Sequence, residues 1–371
     1  MTLIIAVLIP ARETPADFIY PDIDARSGRL KMAEVARDES NRQYTSNEDD
    51  VITEGDHVDQ SDDSDDDHED NESVTFEDTE YNHEMMTPGY ICKDYFLSFS
   101  VRQEVVKAIR DYDIHDNEVF LAGYPRSGIT WTQRIIGAMR DGPDVVNSPD
   151  YDLTQHFPFI EYYDIFNVPL YDGFELFTKM KAPRVVKTHL PCELIPRAFE
   201  NTGKVVVVLR NPKDMIVSYY NLFKNLTMID YIATFEEFFE IFQNSHLPYG
   251  SWFKWVYSYW QAKQDKTIKN VHFLVYEQLF INTRQEVQKL ADYLGYDLSD
   301  EKRMQKVLEA ICFGSMQNTV SFPGAKNFIR RGGVGGWKNV LSDEISAWID
   351  NKIRTDLYEK GFPIEFTFEL P

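Results

Sequence analysis

Cysteine is scarce in this chain: Cys92, Cys192 and Cys312 stand far apart among 371 residues. They share no metal-ligand spacing, and an odd number cannot pair completely. A disulfide-stapled scaffold and a zinc module are excluded; reduced thiols in a cytosolic protein are favoured over a disulfide. Long apolar runs are missing too. The run at residues 3–9 has no basic stretch ahead of it and is followed by Pro10 and Arg12. It is too short for a membrane helix and weak as a signal peptide, and no later stretch approaches the roughly eighteen uncharged residues a span needs. A soluble, cytoplasmic protein with no membrane or nucleic-acid partner is expected. Positive charge is absent from residues 45–84, which hold eighteen Asp and Glu and no Lys or Arg. The net charge of -23 therefore comes mainly from one segment, and the rest is only mildly acidic. The tract Ser61-Asp62-Asp63-Ser64-Asp65-Asp66-Asp67-His68-Glu69-Asp70 buries nothing apolar and repels itself. Residues 1–84 read as a disordered acidic extension, with a partner-binding tail as the alternative. A calcium loop is disfavoured, because the tract lacks the glycine and spaced Glu of an EF-hand.

From about Pro88 the composition turns apolar and aromatic, and a chain with 43% hydrophobic residues can bury a substantial core. Residues 85–371 read as one domain. Strands are expected at residues 118–122, 184–188, 204–209 and 271–276. Helices are expected at 130–140, 193–199, 211–223, 235–242, 252–264, 284–294, 301–310 and 343–359, with a glycine-rich basic loop at 323–337. The run KVVVVL at 204–209 has the continuous apolar character of a strand covered on both faces. Asn211 suits a helix N-cap and Pro212 the first turn. The fold class is α/β: a central, mainly parallel sheet flanked by helices, with ligands at the carboxyl ends of the strands. The aromatics Trp252, Trp255, Tyr257, Tyr259 and Trp260 are read as core packing rather than a ligand box.

Residues 119–131, VFLAGYPRSGITW, organise the rest. An apolar strand runs into a loop broken by Gly123, Pro125 and Gly128, then into a helix. Loop amides and a helix N-terminus aim positive charge at an anion. The spacing Gly123-x4-Gly128-Ile129-Thr130 nearly matches the Walker A pattern, but Ile129 stands where its Lys belongs. The cation lies three residues earlier, at Arg126. A P-loop-like phosphate cradle follows, distinct from that of P-loop NTPases; a plain strand–helix turn is the alternative for the loop alone.

Three more patches carry charge. Lys187-Thr188-His189 ends a strand, where residues two apart share a face, so Lys187 and His189 can enter one cleft. A His beside a fixed cation stays neutral and is available as a general base; alone it could equally be structural. Arg210-Asn211-Pro212-Lys213-Asp214 with Ser218 makes a second anion site or a capped helix with solvated charges. Arg330-Arg331-Gly332-Gly333-Val334-Gly335-Gly336-Trp337 suits phosphate capture by a loop that orders around its ligand, or is a mobile basic loop. Two phosphate sites, one His and no acidic metal cluster do not describe a kinase. They suggest a nucleotide phosphorylated at two positions that carries a group transferred without a required metal.

These four motifs, with Ser218-Tyr219-Tyr220 and Trp337-Lys338-Asn339, resemble the cytosolic sulfotransferase family in content and order across roughly residues 88–365. The resemblance implies the donor 3′-phosphoadenosine 5′-phosphosulfate (PAPS) and a hydroxyl or amine acceptor on a small lipophilic molecule. It implies that Arg126, Ser127, Gly128, Ile129, Thr130 and Trp131 hold the 5′-phosphosulfate, with Trp131 against the adenine. Arg210, Ser218, Arg330, Arg331 and Gly332 would hold the 3′-phosphate, and Tyr276, Phe313 and Met316 would lie beside the adenine. Lys187 and His189 would face the transferred group, His189 as base, with Arg126 and Lys187 stabilising the leaving phosphate. The chain departs from the family pattern at Arg126 (usually Lys), Ile129 and Ile311 (usually Thr) and Gly336 (usually Asp). The family's dimer motif reads Lys338-Asn339-Val340-Leu341-Ser342-Asp343 here, without its Thr-Val and terminal Glu; a homodimer is possible on a degenerate motif. Alternatives are a retinoid-type dehydratase acting through a sulfated intermediate, and a catalytically weak nucleotide-binding relative.

Overall fold

The computed structural model describes residues 75–78, 89–98, 100–164, 171–200, 202–225, 232–319 and 332–369. Strands β1 (Phe76–Asp78), β2 (Gly89–Cys92) and β3 (Tyr95–Ser98) form an antiparallel sheet. Lys93 and Asp94 join β2 to β3 at φ 48° and 65°, the positive values that a tight two-residue hairpin demands. β1 lies inside the span read as an acidic extension, and its residues pair with Cys92, Ile91 and Tyr90. The boundary expected at 84 therefore falls between two paired strands. The rest of that extension, apart from Thr75, lies outside the described residues.

Helix α1 (Gln103–Arg110) buries Val105, Val106 and Ile109 at helical spacing. It leads to β4 (Glu118–Gly123), α2 (Ile129–Arg140) and the short helices α3 (Pro143–Val146) and α4 (Leu153–His156). Strands β5 (Tyr163–Asp164) and β6 (Tyr171–Asp172) pair antiparallel, and α5 (Gly173–Lys179) and β7 (Arg184–Thr188) follow. After β8 (Lys204–Leu209) come α6 (Pro212–Asn225), α7 (Phe235–Gln243) and α8 (Trp252–Gln264). The chain continues as β9 (Val271–Val275), α9 (Tyr276–Ile281), α10 (Thr283–Leu294), α11 (Glu301–Ala310), α12 (Phe313–Thr319) and α13 (Asp343–Asp356).

Strands β7, β4, β8 and β9 lie in that order, all parallel, as one central sheet. Successive side chains point to opposite faces, and the core divides accordingly. Phe120, Ala122, Val205 and Val207 join one buried cluster; Leu121, Val206, Val208 and Leu274 join the other. Both faces need helices, which is why the apolar runs are continuous. The expected strands and main helices occur, with three differences. Tyr276 opens α9 instead of ending β9. Residues 193–199 form two 3₁₀ turns, Cys192–Leu194 and Arg197–Glu200. The last helix stops at Asp356, and a 3₁₀ turn covers Tyr358–Lys360. Asn211 does cap α6: its Oδ1 accepts the Asp214 amide at 2.7 Å. Among the described residues no helix is long and apolar enough to cross a membrane.

Candidate active site

The carboxyl ends of β4, β7 and β8 open on a cavity of about 390 Å³. At its floor the loop after β4 makes a tight turn, with the Ser127 amide donating to the Tyr124 carbonyl at 3.1 Å. Gly128 sits at φ 106°, and a Cβ there would lie 2.7 Å from the Tyr276 ring, so only glycine fits. Helix α2 then begins with no side chain capping its first turn; the Trp131 and Thr132 amides donate to the Gly128 carbonyl, each at 3.1 Å, and the start of the helix suits an anion. The Ile129 side chain packs into the core, although the residue borders the cavity. Thr130 and Trp131 also line it. Trp131 is fixed by Nε1 donating to the Ile311 carbonyl at 3.0 Å, with its ring edge-on to Tyr276 at 5.6 Å.

Arg126 holds φ 71°, unusual for a non-glycine residue, and its Nε donates to Ser218 Oγ at 3.0 Å. Arg210 donates through Nη1 to the Arg126 carbonyl at 3.1 Å and lies over the Tyr276 ring at 4.4 Å. Sequence reasoning put Arg126 and Ser218 in separate anion sites; the fold puts them in direct contact. Ser127 does not line the cavity. Its hydroxyl, like Arg210 Nε, is buried without a hydrogen-bond partner among the described residues. Arg210, unlike Ser127, lines the cavity, and its unsatisfied Nε suits a phosphorylated ligand that completes it.

On the opposite wall, Lys187 and His189 both line the cavity and are buried. The ammonium of Lys187 stands 4.1 Å over the Phe159 ring. Burial, with Arg126 nearby, pushes its pKa down to about 8 against the pull of Glu161. His189 Nδ1 bonds the Gly123 carbonyl. A carbonyl only accepts, so Nδ1 carries the hydrogen and Nε2 keeps its lone pair. Burial, then Lys187, holds the imidazole well below its usual pKa, which favours the neutral ring with its Nε2 lone pair free. The backbone around it is pinned from three sides. The His189 amide donates to Glu161 Oε1 at 2.6 Å, Trp255 Nε1 to the His189 carbonyl at 2.8 Å, and the Tyr259 hydroxyl to the Leu190 carbonyl at 2.8 Å. Burial raises Glu161 to about 7, opposed by the hydrogen bonds it accepts.

The third wall is the loop at 332–340. Gly332 has φ 57° and packs so close to Phe313 that a Cβ would meet its ring at 2.9 Å. Phe313 and Met316 also border the cavity, Phe313 partly exposed and Met316 buried. The Gly333 amide donates to the Tyr276 hydroxyl at 3.2 Å, and Arg210 Nη2 to the Gly333 carbonyl at 3.3 Å. Asp214 accepts the Gly335 amide at 2.7 Å and the Trp337 amide at 3.0 Å. Asn211 links this clamp to buried Glu277 through Nδ2 at 3.1 Å. Arg330 and Arg331 lie outside the described residues. Among the described residues no cluster of His, Cys, Asp or Glu could hold a metal ion.

Sequence reasoning missed Glu161, the clamp role of Asp214 and Glu277, and the aromatic wall of Phe159, Tyr162, Tyr219 and Tyr249. No short-range pattern marks these residues: aromatics are everywhere in this chain, and each acts on a partner distant in sequence. The Trp252–Gln264 aromatics are core, as expected, but two of them also carry the His189 backbone.

A parallel sheet with a glycine cradle, two arginines and a Lys–His pair at one strand edge defines a transferase-type site for a phosphorylated nucleotide. The particular family is fixed by comparison. A family model described as "Sulfotransferase domain" matches residues 116–361, and the chain belongs to the sulfotransferase family. Sulfotransferase 1E1 of Bos taurus is 32% identical over 274 residues, covering 71% of this chain and 90% of that protein. Sulfotransferase 1B1 of Canis lupus familiaris is 34% identical over 278 residues, with the same coverage. The fold matches that of retinol dehydratase solved with retinol and PAP, at TM-score 0.66 and 21% identity over 79% of this chain and 99% of that one. It also matches mouse sulfotransferase SULT7A1 complexed with PAP, at TM-score 0.58 and 23% identity over 71% and 92%.

Proposed function

We propose that this chain transfers the sulfuryl group of PAPS to a hydroxyl or amine on a small lipophilic acceptor, with His189 as the general base. One observation carries the reading: His189 is buried and hydrogen-bonded through Nδ1, and borders the same cavity as Lys187, Arg126 and the uncapped start of α2. When bound, PAPS supplies the activated sulfuryl group. His189 Nε2 takes the acceptor proton while the acceptor oxygen bonds to sulfur. The bond from sulfur to the bridging oxygen breaks, and its electron pair stays on the departing 3′-phosphoadenosine 5′-phosphate. Lys187, Arg126 and the loop amides stabilise charge growing on that phosphate, where it counts most in the transition state. Arg126 and the residues from Gly128 to Trp131 take the 5′ end. Arg210, Ser218 and Gly332, with Arg330 and Arg331, take the 3′-phosphate. Tyr276, Phe313 and Met316 flank the adenine. Phe159, Tyr162, Val217, Leu222 and Tyr249 wall the acceptor end with apolar surface, which suits a lipophilic molecule. The reading includes a catalytic unit spanning residues 85–371 joined by β1. It also includes a cytoplasmic location, in keeping with three unpaired cysteines.

The test is incubation with sulfate-labelled PAPS and a panel of phenols, steroids and retinoids. A labelled acceptor is the expected product. Tight nucleotide binding with no transfer to any acceptor refutes the reading.

A further inference from the structure

One polar feature interrupts the aromatic end of the cavity. Ser98 and Ser100 both line it, both are more than nine-tenths buried, and their hydroxyls are 2.8 Å apart. Two hydroxyls bring two hydrogens, and their mutual bond uses one. The second hydrogen and spare lone pairs have no partner among the described residues. Burying such a donor unpaired is costly, and a ligand oxygen reaching it from the cavity would remove that cost.

The pair is held rigidly and lies away from the chemistry. The Val101 amide donates to the Ser98 carbonyl at 2.9 Å, and the Tyr163 amide to the Ser100 carbonyl at 3.0 Å. Ser98 ends β3, outside the sheet that carries Lys187. Two stacked rings link the two places by contact: Phe159 is 4.9 Å from the His189 ring, and Tyr162 is parallel to Phe159 at 5.4 Å. Tyr162 bridges Val101, beside Ser100. A ligand lying along these rings with its reacting oxygen at His189 would extend toward the serines.

We propose that Ser98 and Ser100 form a distal oxygen subsite, and that the preferred acceptor is elongated, with the sulfated hydroxyl at one end and a carbonyl or hydroxyl oxygen at the other. This rests on the acceptor reading given under Proposed function. The pre-positioned hydroxyl donates to the distal oxygen without a cost of ordering the protein. An acceptor lacking that oxygen leaves the donor unpaired, and discrimination of roughly tenfold in kcat/KM follows from one neutral hydrogen bond in a buried site.

The experiment uses a homologous series of phenols whose para chain ends in a methyl ketone. Each is paired with the analogue in which a methylidene group replaces the ketone oxygen, and only the phenol can be sulfated. At the optimal chain length the wild-type chain is expected to favour the ketone roughly tenfold, and the S98A/S100A variant to treat the pair alike. Titration with 3′-phosphoadenosine 5′-phosphate checks that the variant is folded. Equal wild-type rates for both members at every length overturn the proposal, as does a preference that survives in the variant. If the wild-type chain sulfates neither, para-substituted phenols are not its acceptors, and the acceptor panel decides the transferase reading. Calorimetric binding of the same pairs to the nucleotide-loaded protein then reads the subsite: ketone preference supports it and equal affinity overturns it.

Discussion

Replacing Asp214 by Ala removes the acceptor for two backbone amides of the glycine loop, Gly335 at 2.7 Å and Trp337 at 3.0 Å. The carboxylate is only 5% exposed, so little water competes for it. A hydrogen bond to a charged acceptor contributes about 1.5–3 kcal/mol, and two of them hold the loop by roughly 3–6 kcal/mol. Some of this returns when the freed amides reach water and the loop gains conformational entropy. Asn211 Nδ2 keeps Glu277 and the Thr367 carbonyl as partners, so the cap itself survives. A net loss of about 2–3 kcal/mol in loop ordering remains. Because affinity scales with the population of the ordered loop, nucleotide binding is expected to weaken by roughly 30–160-fold. Asp214→Asn keeps one acceptor oxygen and should fall between Ala and wild type. The assay is calorimetric titration with 3′-phosphoadenosine 5′-phosphate, with a thermal melt to show that each variant is folded. A folded Ala variant that binds within about threefold of wild type would show that Asp214 does not hold a nucleotide-binding loop.

Three further perturbations follow. His189→Asn removes the base while leaving the strand end in place; kcat should fall by at least ~100-fold with nucleotide affinity unchanged, and a loss confined to KM would refute the base assignment. Lys187 has its pKa pushed down to about 8, so its charge is lost as pH rises through that value. The kcat/KM for PAPS should drop between about pH 7 and 9 in wild type, whereas Lys187→Arg stays charged and should show a slower but flat profile; parallel profiles would sink the idea. Glu161 is raised from 4.5 to about 7, so the folded state keeps a proton that the unfolded state has lost between those values. Folding stability therefore declines as pH rises from about 4.5 to about 7, by at most about 3 kcal/mol from this group. Glu161→Gln should abolish that slope in urea unfolding between pH 5 and 7.5, and an unchanged slope would place its origin elsewhere.

The apolar runs and their breaks were readable from local pattern. A strand covered on both faces must be continuously apolar, as in KVVVVL, and Asn211 before Pro212 announces a helix start through cap chemistry. The glycine cradle was readable for the same reason: Gly128 answers a backbone demand that shows in sequence. Tyr276 was misplaced because a tyrosine fits a strand end and a helix start equally well, and only packing against Gly128 and Arg210 distinguishes them. Order at Phe76–Asp78 was hidden by the acidic composition around it, since pairing with β2 depends on a partner more than ten residues away.

Residue chemistry in chain order was enough to place a phosphate-binding loop, a Lys–His pair and a sulfotransferase pattern, because each is a short motif whose geometry its own backbone supplies. The contacts that make those motifs work came from the fold. The tautomer of His189 depends on Gly123, the Arg126–Ser218 contact joins β4 to α6, and the glycine loop is held by an aspartate on another helix. Each of these pairs is separated by at least sixty-six residues. Hydrogen bonds over such separations leave no periodic trace in a single sequence; the sheet and the helices packed on it bring the partners within reach.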